Sequence, residues 1–155
     1  MRELLIIILT ILTSNTCIGQ IYDVDNKPKK IAGLCNQNEL YLLMSELGGQ
    51  TEPVSPLTLS KIYDRLVSEI NLNNDFTKIK ESKVVAVYIN CQGNVVYVES
   101  EFKDEKLNQK IRDIFNSLGV WKAGIKEGNT VDSVVLYHVK IKKGKLILNG
   151  NIWRN

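Results

Sequence analysis

Cysteine, histidine and paired carboxylates are the side chains that would catalyse or hold a metal here, and they are few. The 155-residue chain has one histidine, His138, and three cysteines, Cys17, Cys35 and Cys91. A cysteine–histidine pair is conceivable from Cys91 and His138, since both fall on expected strands. Strand alternation, however, puts Cys91 on an aliphatic face and His138 on the other. A poised thiolate would also need an electropositive neighbour, and a surface histidine is the simpler reading. Glu99 and Glu101 lie two apart on one strand face, about 6–7 Å between Cα atoms. That spacing suits acid–base work only inside a pocket, and a solvated face explains it as well. There is no Gly-x-Ser-x-Gly nucleophile elbow. One histidine and two widely separated cysteines, Cys35 and Cys91, make no zinc motif. Asp23-Val24-Asp25-Asn26 begins like a calcium loop but lacks the glycine and the later glutamate. Gly48-Gly49 follows an apolar periodic stretch rather than opening one, the wrong polarity for cradling phosphate. The expectation is a non-enzymatic chain with no catalytic residue, no metal, no cofactor and no small-molecule substrate.

The composition, 44% hydrophobic and 24% charged, is that of a globular domain. A net charge of +3 points away from a nucleic-acid binder. Residues 1–19 differ from the rest. Arg2 precedes an apolar run at 4–12, followed by Thr13, Ser14, Asn15 and Thr16. About nine apolar residues fall well short of the roughly 20 that span a bilayer, so this is a secretory signal peptide, cut after Gly19. A second reading cuts before Cys17 and lipidates it, but Ser14-Asn15-Thr16 suits that cleavage poorly. Secretion places the chain in an oxidising compartment. Cys35 and Cys91 then either form a disulfide or stay as two buried thiols.

The elements that must position these residues follow from hydrophobic periodicity. A polar lead-in precedes 36–47, where Leu40, Leu43, Met44 and Leu47 mark a short amphipathic helix ended by Gly48-Gly49. A connector with Pro53 and Pro56 leads to a helix from about 58 to 70 on the Leu59, Ile62, Leu66, Ile70 stripe, widened by Tyr63 and Val67. Residues 76–81 form a polar bridge. Alternation then gives strands at 84–90 and 95–100 around a tight turn at Cys91-Gln92-Gly93-Asn94, where Gly93 supplies positive φ. Leu107, Ile111, Ile114, Phe115 and Leu118 define a helix at 104–118. Asp104 and Glu105 favour its start, Gly119 stops it, and Lys106, Asn108, Gln109, Lys110, Arg112 and Asp113 form its solvated face. After Trp121 in a short loop, a long strand at 131–142 alternates Ser133, Val135, Tyr137, Val139 and Ile141 against Val134, Leu136, His138, Lys140 and Lys142. Lys143-Gly144-Lys145 turns the chain, and Leu146-Ile147-Leu148 returns as a short strand.

This order predicts an α+β fold of two layers, with helices packed on one face of a mostly antiparallel sheet. Trp121 plugs one end of the core and its indole N–H needs a backbone partner. If the long strand is a sheet edge, its free backbone groups can accept a partner strand. Lys140, Lys142, Lys143 and Lys145 would equally protect such an edge.

The strand closing on Gly93, the strand ending Glu99-Ser100, the helix, Trp121-Lys-Ala-Gly-Ile-Lys-Glu-Gly128, Val131-Asp132-Ser133 and the final strand together resemble the TonB C-terminal domain family, as found in Bacteroidetes-type bacteria. Ala123 stands where that family usually has proline, and Glu127-Gly128-Asn129 replaces its usual Asn-Gly type. The likeness covers about residues 55–148, leaving 20–54 as an N-terminal extension with its helix and 149–155 as a tail anchored by Trp153. It implies an α-β-β-α-β periplasmic domain that pairs with the TonB box of outer-membrane receptors by strand addition, in energy-dependent transport. The partner-facing element would be the last long strand, with Val134, Leu136, Tyr137, His138 and Lys140 as contacts. A full energy transducer also has a membrane anchor and a long proline-rich spacer. With three prolines in all, this chain resembles a stand-alone TonB-like domain. The alternative is a structural or scaffold protein of the envelope, homodimeric through the same strand edge.

Overall fold

A computed structural model describes residues 30–70, 76 and 78–150. The expected leader with Cys17, the Asp23–Asp25 stretch and Trp153 lie outside these residues. No helix among them is long and apolar enough to cross a membrane.

The elements in chain order are β1 (Gln50–Thr51), α1 (Leu59–Glu69), β2 (Lys80–Ile89), β3 (Val95–Ser100), α2 (Glu105–Asn116), β4 (Gly124–Lys126), β5 (Asn129–Val131), β6 (Ser133–Lys142) and β7 (Lys145–Gly150). They form two antiparallel sheets, one ordered β3-β2-β6-β7 and a smaller one ordered β1-β4-β5. The fold is mixed α+β, with the helices bearing on one face of the larger sheet.

That face is dry because alternation makes it so. Val85, Val87 and Ile89 of β2 meet Val135, Tyr137, Val139 and Ile141 of β6 and Leu146 and Leu148 of β7. Over them lie Ile62 and Leu66 of α1 and Leu107, Ile111, Ile114 and Phe115 of α2. Each such side chain, fully buried, contributes about 1.5–3 kcal/mol. The Phe115 and Tyr137 rings pack at 5.0 Å between centroids. Thr58 caps α1, its hydroxyl accepting from Lys61 N–H, and Asp104 caps α2, accepting from Leu107 N–H at 3.0 Å. Arg65 joins the helices by donating to the Ser117 carbonyl and hydroxyl.

Several expectations need correction. The stretch 36–47 is not a helix but a series of turns. Its ends are tied elsewhere: Asn36 N–H donates to the Asp132 carboxylate at 2.6 Å, and Tyr41 exchanges backbone bonds with Asp132 and Val134. A helix this short is marginal in water, so these long-range bonds win. Of its apolar stripe only Leu43 is buried, at 4% exposure, while Leu47 is 54% exposed.

Second, the long strand is interior. β6 pairs with β2 along its whole length and with β7 from Tyr137 to Lys142. The edges of the larger sheet are β3 and β7. Third, the segment after Trp121, expected as loop, makes the hairpin β4–β5, to which residues 49–54 pair through β1 and the Val54–Lys122 bridge. The extension at 20–54 thus supplies a strand to the fold. Fourth, Asn108 is buried rather than solvated, and part of the bridge at 76–81 is strand, with Phe76 in the core.

Candidate functional site

Cys35 and Cys91 form a disulfide, with Cα atoms 6.0 Å apart, inside the range that bridging needs. Asp132 sits beside it. One carboxylate oxygen accepts from Asn36 N–H and the other from Cys91 N–H at 2.8 Å. Covalent bond and carboxylate clamp together hold the turns of residues 35–41 against the β2–β3 hairpin and the start of β6. Cys35, Cys91 and Asp132 place ligand atoms within 4.8 Å of one another. The sulfurs are spent on each other and the carboxylate on two amides, so the cluster works as a structural joint.

The other chemistry-bearing residues are dispersed. His138 is on the outer face of the sheet, its Nε2 2.6 Å from the Ser82 hydroxyl. No carboxylate bonds this exposed pair among the described residues. Cys91 lies just past the end of β2, whereas His138 is mid-strand opposite Val84. Glu99 Oε2 accepts from the Tyr88 hydroxyl at 3.0 Å, whereas Glu101 lies beyond β3 and is exposed.

The expected contact residues separate by strand parity. Val134, Leu136, His138 and Lys140 project from the uncovered face of the sheet, while Tyr137 points into the core against Phe115. Burial pushes its phenol well above the ordinary value of 10.0.

The open backbone is one strand further on. Val134 N–H turns away from β2 to bond the Tyr41 carbonyl at 2.9 Å. By antiparallel alternation, His138, Lys140 and Lys142 also turn toward β7. Their register partners are Asn149, Ile147 and Lys145. It follows that Leu146, Leu148 and Gly150 direct their N–H and C=O groups outward, where no described strand lies. The edge begins at the Lys143–Gly144 turn, whose two positive φ angles suit a tight hairpin.

It ends at Gly150, on the wall of an open pocket of about 320 Å³. The pocket is lined by Pro53, Leu57, Leu59, Ile62, Trp121 and Tyr137, among others. Trp121 is held by its backbone N–H, which donates to the Gly93 carbonyl at 2.8 Å. Its indole Nε1–H is buried without an acceptor, contrary to the expected backbone bond. An unpaired buried donor is costly, and this one finds no partner among the described residues. Residue order marks Trp121 but not the pocket. The Leu146-x-Leu148 alternation and the Glu127-Gly128 dipeptide were the local signals for β7 and for the hairpin beneath Trp121.

Comparison of the chain with protein-family models, with curated proteins and with solved structures gave no match.

Proposed function

We propose that this protein is a secreted, non-enzymatic protein-binding module of the periplasm, which takes an extended segment of a partner as an added strand along β7. The observation that carries the reading is the open edge at Leu146, Leu148 and Gly150, which runs into the pocket at Trp121. Strand addition of this kind draws affinity from main-chain bonds and specificity from pockets for alternate side chains. The disulfide supports an oxidising compartment. The resemblance to TonB C-terminal domains suggests the partner: the N-terminal box of an outer-membrane receptor, in energy-dependent transport. The shift from β6 to β7 keeps the partner on the final strand of the sheet.

The test is titration with peptides of receptor TonB-box type while following backbone amides by NMR. Expected is slowed exchange at Leu146, Leu148 and Gly150, with a change in the Trp121 indole proton. Exchange at those three amides unaltered by every bound peptide would sink the reading.

A homodimeric scaffold protein is the second reading, favoured by the exposed Ile147 on the same strand, at 48% exposure. A concentration-independent dimer by light scattering, with the β7 amides protected in the absence of any peptide, selects it.

A further inference from the structure

Six lysines gather at the end of the larger sheet remote from the disulfide. Lys80, Lys142 and Lys145 stand directly opposite one another in a single row across β2, β6 and β7. Lys140 occupies the next row, between Ser82 and Ile147. Lys143 is at the hairpin tip and Lys78 just precedes β2. All six are exposed. No described residue forms an ion pair with them, the two ion pairs being Arg65–Glu69 and Arg112–Glu105. The nearby acid Glu81 is on the other strand parity, accepting from Lys103 N–H. These lysines carry +6 where the whole chain carries +3, so the remainder is net acidic and the molecule is electrically polarised.

Like charges directly opposite in a sheet are destabilising. Protection of a sheet edge would account for Lys145, but not for Lys140 and Lys142, which project from the face of an interior strand. Among the lysines are two uncovered apolar side chains, Ile147 at 48% and Val84 at 46% exposure. No helix among the described residues covers this face. A lysine cluster at one end of the sheet, bordered by exposed aliphatic groups, complements one chemistry well, phosphate head groups over hydrocarbon. Lysine point charges suit such a dense, unordered phosphate array, whereas nucleic-acid grooves favour arginine forks and aromatic stacking platforms.

We propose that this lysine-rich face, with Ile147 and Val84, is a docking surface for an anionic phospholipid bilayer. Lys80, Lys140, Lys142 and Lys145 supply the electrostatic attraction, and Ile147 enters the head-group boundary. The proposal uses the outer face of β7, not the backbone edge at Leu146, Leu148 and Gly150.

The test is co-sedimentation of the protein with vesicles of phosphatidylglycerol and phosphatidylethanolamine, and with vesicles of phosphatidylcholine alone. Binding to the anionic vesicles only, released by high salt, is expected. The Lys80→Ser/Lys142→Ser/Lys145→Ser variant should lower the partition coefficient by roughly 100-fold, on the order of fivefold per lysine. Ile147→Ser should lower it by about fivefold. The substituted residues are exposed, and matched thermal unfolding checks that the fold is kept. Lys140→Ser/Lys143→Ser is a second, separate probe of the same face. Equal binding to both vesicle types, no binding, or wild-type binding by the lysine variants overturns the proposal. It also fails if duplex DNA binds as tightly as the vesicles and Ile147→Ser alters neither, which would make this a general polyanion site.

Discussion

The carboxamide of Asn108 closes a two-bond ring with the backbone of Phe102. Phe102 N–H donates to Asn108 Oδ1 at 2.8 Å, and Asn108 Nδ2 donates to the Phe102 carbonyl at 2.7 Å. A side chain of α2 thereby serves as the missing strand partner just past the end of β3. The same Oδ1 also accepts from the Ser100 hydroxyl at 2.9 Å.

Asn108→Ala should therefore cost about 3 kcal/mol, because it strands several buried polar groups at once. Asn108→Asp keeps the acceptor but loses the donor, and it buries a charge beside Glu105. The new carboxyl's pKa is raised in the folded state, so this variant should recover stability as pH falls toward about 4. Urea unfolding at neutral and acidic pH checks both, and a neutral-pH cost under about 0.5 kcal/mol for the alanine variant would refute the role.

Reduction of Cys35–Cys91 opens a loop spanning 56 positions and should lower stability by about 4 kcal/mol. Because Asp132 grips the same two segments through Asn36 and Cys91 N–H, Asp132→Ala should be more damaging after reduction than before it. Chemical unfolding of both proteins, with and without reductant, measures this coupling; strict additivity argues against a shared joint.

Gly93 is needed twice over. Its φ is +84°, and a Cβ there would lie 2.0 Å from the Trp121 carbonyl oxygen. Gly93→Ala should cost about 2–4 kcal/mol from left-handed strain plus the clash. It should also disturb the Trp121 fluorescence, since the Gly93 carbonyl holds the Trp121 N–H. Unchanged emission with unchanged stability would contradict that coupling.

Tyr137 has its folded pKa raised above 10.0 by burial. A raised value means stability is intact below the unfolded pKa and lost as pH rises beyond it. The protein should thus weaken above about pH 10, and the Tyr137 phenolate should appear only together with unfolding. Tyr137→Phe should flatten this alkaline limb. Ultraviolet titration alongside circular dichroism would show the opposite if phenolate absorbance of this residue preceded loss of structure.

Much of the local structure was legible from residue order alone. The stripe Leu107, Ile111, Ile114, Phe115 predicts α2, with Asp104 expected in its first turn rather than as the cap it is, and the alternation Ser133 to Ile141 separates the two faces of β6. Both patterns report a choice each residue makes with its near neighbours, namely which face meets the core. The Cys35–Cys91 bond was one of two open readings, since spacing cannot bring two Cα atoms together. Tertiary structure decided the rest. Whether β6 is an edge depends on whether β7 pairs with it. The path of 36–47 depends on Asp132, a residue 96 positions from Asn36. The pocket needs Gly150 and Pro53 side by side. Such facts arise from backbone groups finding partners across the chain. A periodicity of 2 or 3.6 tells which way a side chain turns, while only the assembled sheet determines which N–H and C=O groups are left for a partner.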